Sequence, residues 1–242
     1  MKTIFLDGKY LKVQDKLIEA FTPGIFKAKG VFETMLGLDG LVLDAEVHLK
    51  RLRKGLKILG LKAPVIRASI LREVLRLNHL PCARVRLMVW QGGRQMHVMV
   101  AALPYKISDG KPYRVCLIKT NRPANGRLAQ VKSLDYGLFA GAYDAALSRG
   151  FDEALLLNKR GHIFEASRAN IFWVKDGILH TPPLSSGCLN GITRQQIMTQ
   201  ARRMKIPLKE RILTPQVLKK ADEVFLINSL IRMKSVEKIS EF

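Results

Sequence analysis

Three separated stretches carry groups that one kind of reaction needs: Lys132, Glu165 at the head of Glu165-Ala-Ser-Arg-Ala-Asn170-Ile-Phe172, and Gly191-Ile-Thr-Arg194. A lysine amine can hold an aldehyde and carry a proton. A carboxylate set against a pyridine nitrogen keeps that ring protonated, and a protonated ring is an electron sink. Backbone N–H groups at a helix start, here Gly191, Ile192 and Thr193, suit a phosphate. Together these point to pyridoxal phosphate as cofactor. Ser229, just after a predicted strand, adds a hydroxyl, and Arg51 a charge-assisted partner for the same phosphate. Taken singly, each has a plainer reading: a surface lysine, a turn-flanking glutamate, a helix cap at Asn190 or Thr193, a solvated helix arginine and a loop serine.

The elements that must position these groups are read from periodicity. Alternation on both sides of Asp7-Gly8 predicts a hairpin over residues 3–13. Residues 44–59 place Val47, Leu52, Leu56 and Leu59 on one helical face, with Asp44 as cap. A second helix is expected over about residues 65–78, and strands over 83–90 and 97–102 flank a glycine-rich tip, Gln91-Gly-Gly-Arg94-Gln95. Prolines and a glycine between Leu103 and Pro112 mark a boundary, giving domains 1–107 and 108–242. In the second, strands are expected at 113–118, 153–157, 170–174, 178–180 and 223–227, with helices near 136–149 and 193–204. Glu165 then follows a turn and precedes a strand. The mixture is an α+β pair of domains with a cleft where they meet.

Composition excludes several classes. A chain of 242 residues, 48% hydrophobic and 25% charged, suits a soluble globular protein and lacks a run long enough to span a membrane. The start of the sequence has no secretory pattern, so a cytoplasmic location is expected. Cys82, Cys116 and Cys188 have neither disulfide nor zinc spacing, and no metal site is expected. The formal charge of +21 comes without a nucleic-acid motif. It reads as a basic background or as steering of small anions.

The order of motifs resembles the class IV aminotransferase family, the fold-type IV pyridoxal phosphate enzymes, which include branched-chain and D-amino acid aminotransferases and aminodeoxychorismate lyase. Glu165, Asn170, Ile171 and Phe172 match the family's Glu-x-x-x-x-Asn-Ile/Leu-Phe signature. Lys175-Asp-Gly, Thr181-Pro and Gly-Ile-Thr-Arg194 follow, while Gly30-Val-Phe-Glu-Thr34 and His48-Leu-Lys-Arg51-Leu52 occupy family positions nearer the start. The resemblance implies a two-domain, D-amino acid aminotransferase-like α+β fold with its cofactor in the interdomain cleft. It implies that Lys132 holds the cofactor and shuttles the proton, that Glu165 and Asn170 lie at the cofactor, and that Arg51, Ile192, Thr193 and Ser229 bind its phosphate. Tyr136 is near the place of a family tyrosine on the phenolic oxygen, one residue closer to the lysine than in the branched-chain enzymes. A homodimer acting on a small anionic amine is expected.

Within the family, Asn228-Ser229-Leu230 looks like the lyase form of the last phosphate loop, and Arg232-Met-Lys-Ser-Val236 stands where aminotransferases carry Glu-Ile-Thr-Pro-Val. Gly92-Gly93-Arg94 is similar to a lyase hairpin whose arginine faces a substrate carboxylate, so Arg94 and Thr34 are the substrate-binding candidates. These features favour conversion of 4-amino-4-deoxychorismate to 4-aminobenzoate and pyruvate, a step of folate biosynthesis. The alternative is amino transfer from branched-chain or D-amino acids, and the remote one is a non-catalytic nucleic-acid-binding descendant. Leu36, where members often have arginine, and residues 23–30, where many read Tyr-Gly-Asp-Gly, depart from the pattern in ways that bear on substrate.

Overall fold

A computed structural model describes residues 2–14, 28–107, 110–123 and 126–240. Most of the departure at 23–30 lies outside them, as do residues 108–109 of the proline-bearing link and 124–125 of the following loop. The chain forms two compact units, Met1–Ile107 with Val131–Gly137, and Ser108–Gln130 with Leu138–Phe242. Val131–Gly137, which carries Lys132 and which the sequence division puts in the second half, thus belongs to the first unit.

In the first unit, strands β1 (Lys2–Leu6), β2 (Lys9–Val13), β3 (Gly30–Leu38), β4 (Leu41–Val42), β5 (Cys82–Gly92) and β6 (Gln95–Pro104) form a sheet in the order β2-β1-β6-β5-β3-β4. The Asp7-Gly8 turn has positive φ at both residues, the conformation that a two-residue hairpin matched to strand twist requires. Helices α1 (Ala45–Ile58) and α2 (Ala68–Leu77) pack on one sheet face through Leu49, Leu52, Leu56, Leu71, Val74 and Leu75 against Val31, Met35, Val85, Leu87 and Val100. The expected face of α1 holds at Leu52 and Leu56, which are buried, and at Leu59, which packs against the core, but not at Val47. Val47 is 46% exposed, whereas His48 is fully buried because Glu33 on β3 gives its ring a partner. Asp44 occupies the cap position in a left-handed conformation, and its side chain makes no cap bond. Helix α2 begins three residues later than expected, after an extended Arg67.

In the second unit, β7 (Tyr113–Lys119), β8 (Glu153–Leu157), β9 (Ile163–Ala166), β10 (Asn170–Lys175), β11 (Ile178–Thr181), β12 (Leu208–Glu210), β13 (Glu223–Asn228) and β14 (Arg232–Ser240) form a sheet in the order β12-β11-β10-β13-β14-β7-β8-β9. Its main core gathers Val115, Leu155, Ile163, Ile171, Trp173, Leu213 and Leu226. Helices α3 (Gly137–Leu147), α4 (Ile192–Arg203) and α5 (Pro215–Lys219) connect these strands. Glu165 lies inside β9, not ahead of a strand as expected, and pairs across to Leu156. Among the described residues no helix is long and apolar enough to cross a membrane.

Candidate active site

Lys132 is fixed by its backbone to β3. The Phe32 N–H donates to Lys132 O and the Leu134 N–H to Gly30 O, both at 3.0 Å, with a bridge between Val31 and Ser133. The close approach of β3, β5 and the Lys132 segment at this point needs glycine, since a Cβ on Gly30 would overlap the Val89 carbonyl and the Leu134 side chain. Lys132 Nζ lies 4.4 Å from the centre of the Phe32 ring and 5.8 Å from that of Tyr136, and the two rings meet edge to face at 5.2 Å. The negative faces of the rings hold the cation in place.

A second cation lies here that no motif in the sequence marks. The Arg86 guanidinium lies 5.7 Å from the same Phe32 ring, and Arg86 stands opposite Thr34 in the β3–β5 register. Phe32 and Thr34 alternate with Val31, Glu33 and Met35, so they occupy the sheet face away from α1 and α2. Arg94 is exposed in the turn between β5 and β6.

Behind β3, Arg51 and His48 meet at Glu33. Arg51 Nε donates to Glu33 Oε1 at 2.8 Å and Nη2 to Oε2 at 2.5 Å, while His48 Nδ1 lies 2.7 Å from Oε2. Burial alone would raise the Glu33 pKa. The Arg51 guanidinium and the His48 ring override it and hold the carboxyl at about 2. The signal for this cluster was present in the sequence as a carboxylate inside an apolar strand and a histidine three residues before Arg51.

In the second unit, the signature residues clamp one peptide. The Leu189 N–H donates to Glu165 Oε2 at 3.0 Å, and Asn170 Nδ2 donates to Leu189 O at 2.9 Å. Two residues later Gly191 caps α4 with no side-chain bond, so Asn190 and Thr193 are not its caps. Ile192 is buried and Thr193 half-buried in the first turn. A buried Arg194 ties this turn down through Pro182 O at 3.0 Å and Glu210 Oε1 at 2.5 Å. Ser229 follows β13 in a loop shaped by Asn228, whose Oδ1 accepts from the Leu230 and Ile231 N–H groups at 2.8 Å and whose Nδ2 donates to Arg168 O at 2.9 Å. Cys188 is pushed up to about 12 by burial and by the Glu165 charge.

Each unit, taken by itself, carries groups of the kind that pyridoxal phosphate needs. Lys132 supplies an amine on an aromatic platform, Glu165 a carboxylate that is 6% exposed, and α4 an N-terminus whose first-turn donors are not spent on a side-chain cap. Among the described residues no group of three or more His, Cys, Asp or Glu side chains could hold a metal.

The profile of class IV aminotransferases matches residues 30–239. The chain belongs to this family. Class IV aminotransferases are pyridoxal phosphate enzymes of fold type IV, and the two mixed α/β units agree with that fold. A provisionally named branched-chain aminotransferase of Methanocaldococcus jannaschii is 31% identical over 98% of this chain and 87% of its own. Among solved structures, a branched-chain aminotransferase of Thermoproteus uzoniensis with norvaline is 28% identical, with TM-score 0.84 over 98% of this chain and 87% of its own. A provisionally named 4-amino-4-deoxychorismate lyase of Legionella pneumophila is 27% identical, with TM-score 0.82 over 89% of this chain and 84% of its own.

Proposed function

We propose that this class IV enzyme splits 4-amino-4-deoxychorismate into 4-aminobenzoate and pyruvate. The observation that carries the substrate class is the pair of cations, Lys132 and Arg86, against one ring, Phe32. A second cation on the ring that also carries the amine suits an anionic substrate. When bound, pyridoxal phosphate supplies the electron sink for charge developing on the amine-bearing carbon. Lys132 would hold the cofactor aldehyde, and its Nζ, when free, would take the proton from the amine-bearing carbon. Glu165 would keep the ring nitrogen protonated, with Asn170 fixing the neighbouring Leu189 peptide, and Tyr136 would serve the phenolic oxygen. Arg51, Ile192, Thr193 and Ser229 hold the phosphate. Arg86, Arg94 and Thr34 receive the substrate's carboxylates, and the enzyme works as a homodimer.

The support for the lyase branch is the sequence Asn228-Ser229-Leu230, which looks like the lyase form of the last phosphate loop. Amino transfer is the second reading, supported by the branched-chain names of the relatives above. Both reactions share the first proton removal, and only transfer needs a keto acid acceptor. Purified enzyme incubated with 4-amino-4-deoxychorismate and no keto acid is therefore expected to release pyruvate and 4-aminobenzoate. No release by the loaded enzyme, together with turnover of branched-chain donors once a keto acid is added, would replace the lyase by the aminotransferase.

A further inference from the structure

Glu33 and His48 have no assigned part in the chemistry, yet they are the buried charged and titratable residues gathered around Arg51. Both are fully buried, and Arg51 reaches them from one turn further along α1. A guanidinium has two edges that can each receive an oxyanion pair. Here Glu33 takes the edge formed by Nε and Nη2. Nη1 is not engaged in that pair, and the Arg51 side chain retains 16% exposure.

We propose that Glu33 is the positioning residue of the cofactor phosphate, locking the Arg51 guanidinium by a bidentate bond so that its remaining edge is preset for an anion. The inference rests on the proposed role of Arg51 as a phosphate ligand. His48 completes the device by holding the carboxylate oxygen shared with Nη2, so that the carboxylate cannot rotate away from the fork. A long arginine side chain otherwise loses substantial rotamer freedom when it binds. With Glu33 in place, that ordering is accomplished during folding rather than at cofactor binding.

The test compares affinity for pyridoxal phosphate with affinity for pyridoxal in the full chain stripped of cofactor, by titrating the visible absorbance of the lysine-bound ligand. The two ligands share the bond to Lys132 and differ by the phosphate, so a general loss of stability lowers both alike. Arg51→Ala is expected to reduce the preference for the phosphorylated ligand at least about tenfold. An unchanged preference would remove Arg51 from the phosphate, and Glu33's role with it. Glu33→Gln is expected to reduce the same preference about tenfold while pyridoxal binds as before. If Glu33→Gln keeps the preference while Arg51→Ala loses it, Glu33 is a core residue only and the proposal is overturned, with Arg51's role intact. Should Glu33→Gln fail to fold, Glu33→Asp decides by the same ratio, because its shorter carboxylate keeps the charge and breaks the two-point fit. Arg51→Ala and Glu33→Gln combined should lose no more preference than Arg51→Ala alone.

Discussion

Gly191 and Asn170 are packed so closely that a Cβ on the glycine would overlap Oδ1 of the asparagine. The same asparagine holds Leu189 O, and Leu189 N–H is held by Glu165. One short turn therefore links the proposed ring-nitrogen carboxylate to the proposed phosphate helix. Gly191→Ala should push Asn170 off Leu189 and cost about 1–3 kcal/mol of stability, as overpacking does. It should also weaken cofactor retention. Adding Asn170→Ala should recover part of the stability, since it removes the atom that is struck. Thermal denaturation of both variants checks this, and a single variant as stable as the parent would contradict the packing.

Glu165→Gln retains an oxygen for the Leu189 N–H and loses the charge. The expected outcome is a folded protein that binds pyridoxal phosphate but turns over about a hundredfold or more slowly, because a neutral amide cannot hold the ring nitrogen protonated. Lys132→Ala, by contrast, should lose turnover without losing the fold, since the backbone hydrogen bond of residue 132 to β3 does not depend on the side chain. Circular dichroism and steady-state rates separate the two effects, and a normal rate in either variant would strip that residue of its role.

Arg94 is exposed in its turn, so removing it should leave packing untouched. Arg94→Ala is expected to raise the apparent KM about tenfold with kcat nearly unchanged. Arg86→Met should affect both constants, because the guanidinium lies against the ring that also carries Lys132. Identical kinetics in the Arg94 variant would return that residue to the solvated surface.

Acid stability should respond to Glu33. Its folded carboxyl titrates at about 2 against an ordinary 4.5, so the unfolded chain binds the proton first as pH falls. The stabilisation is full above the unfolded value and is lost as pH falls from there toward the folded one. Glu153, raised by burial, works in the opposite direction, since the native state takes up its proton first. Urea midpoints for the parent and Glu33→Gln between about pH 6 and about pH 3 should show a flatter acid limb in the variant. Parallel limbs would mean that Glu33 does not carry the acid sensitivity.

Much of the secondary structure was legible because its residues keep a local period. The Asp7-Gly8 hairpin, both strands around Arg94, and α4 after Gly191 all follow from spacing and turn chemistry. Strand β3 was not, since nearly all its residues are buried and Glu33 breaks the apolar run. Its pairing with residues a hundred positions away is a tertiary fact that no local pattern encodes. The burial of His48 in place of Val47 on α1 has the same origin: His48 reads as polar until Glu33 is brought against it. At the site, Lys132 and Glu165 stood out only through their motif company. Arg86 was hidden by alternation, being one of two arginines in a β5 run that could belong to any half-exposed strand.

The visit of Val131–Gly137 to β3 also bears on how the gene could be divided. A cut at the proline-bearing link would give a first fragment without Lys132, and a second in which Lys132 has no β3 to hold its backbone. Neither piece could assemble the amine and its aromatic platform. Function in a split version would have to be restored by complementation, with one fragment's segment threading onto the other's strand.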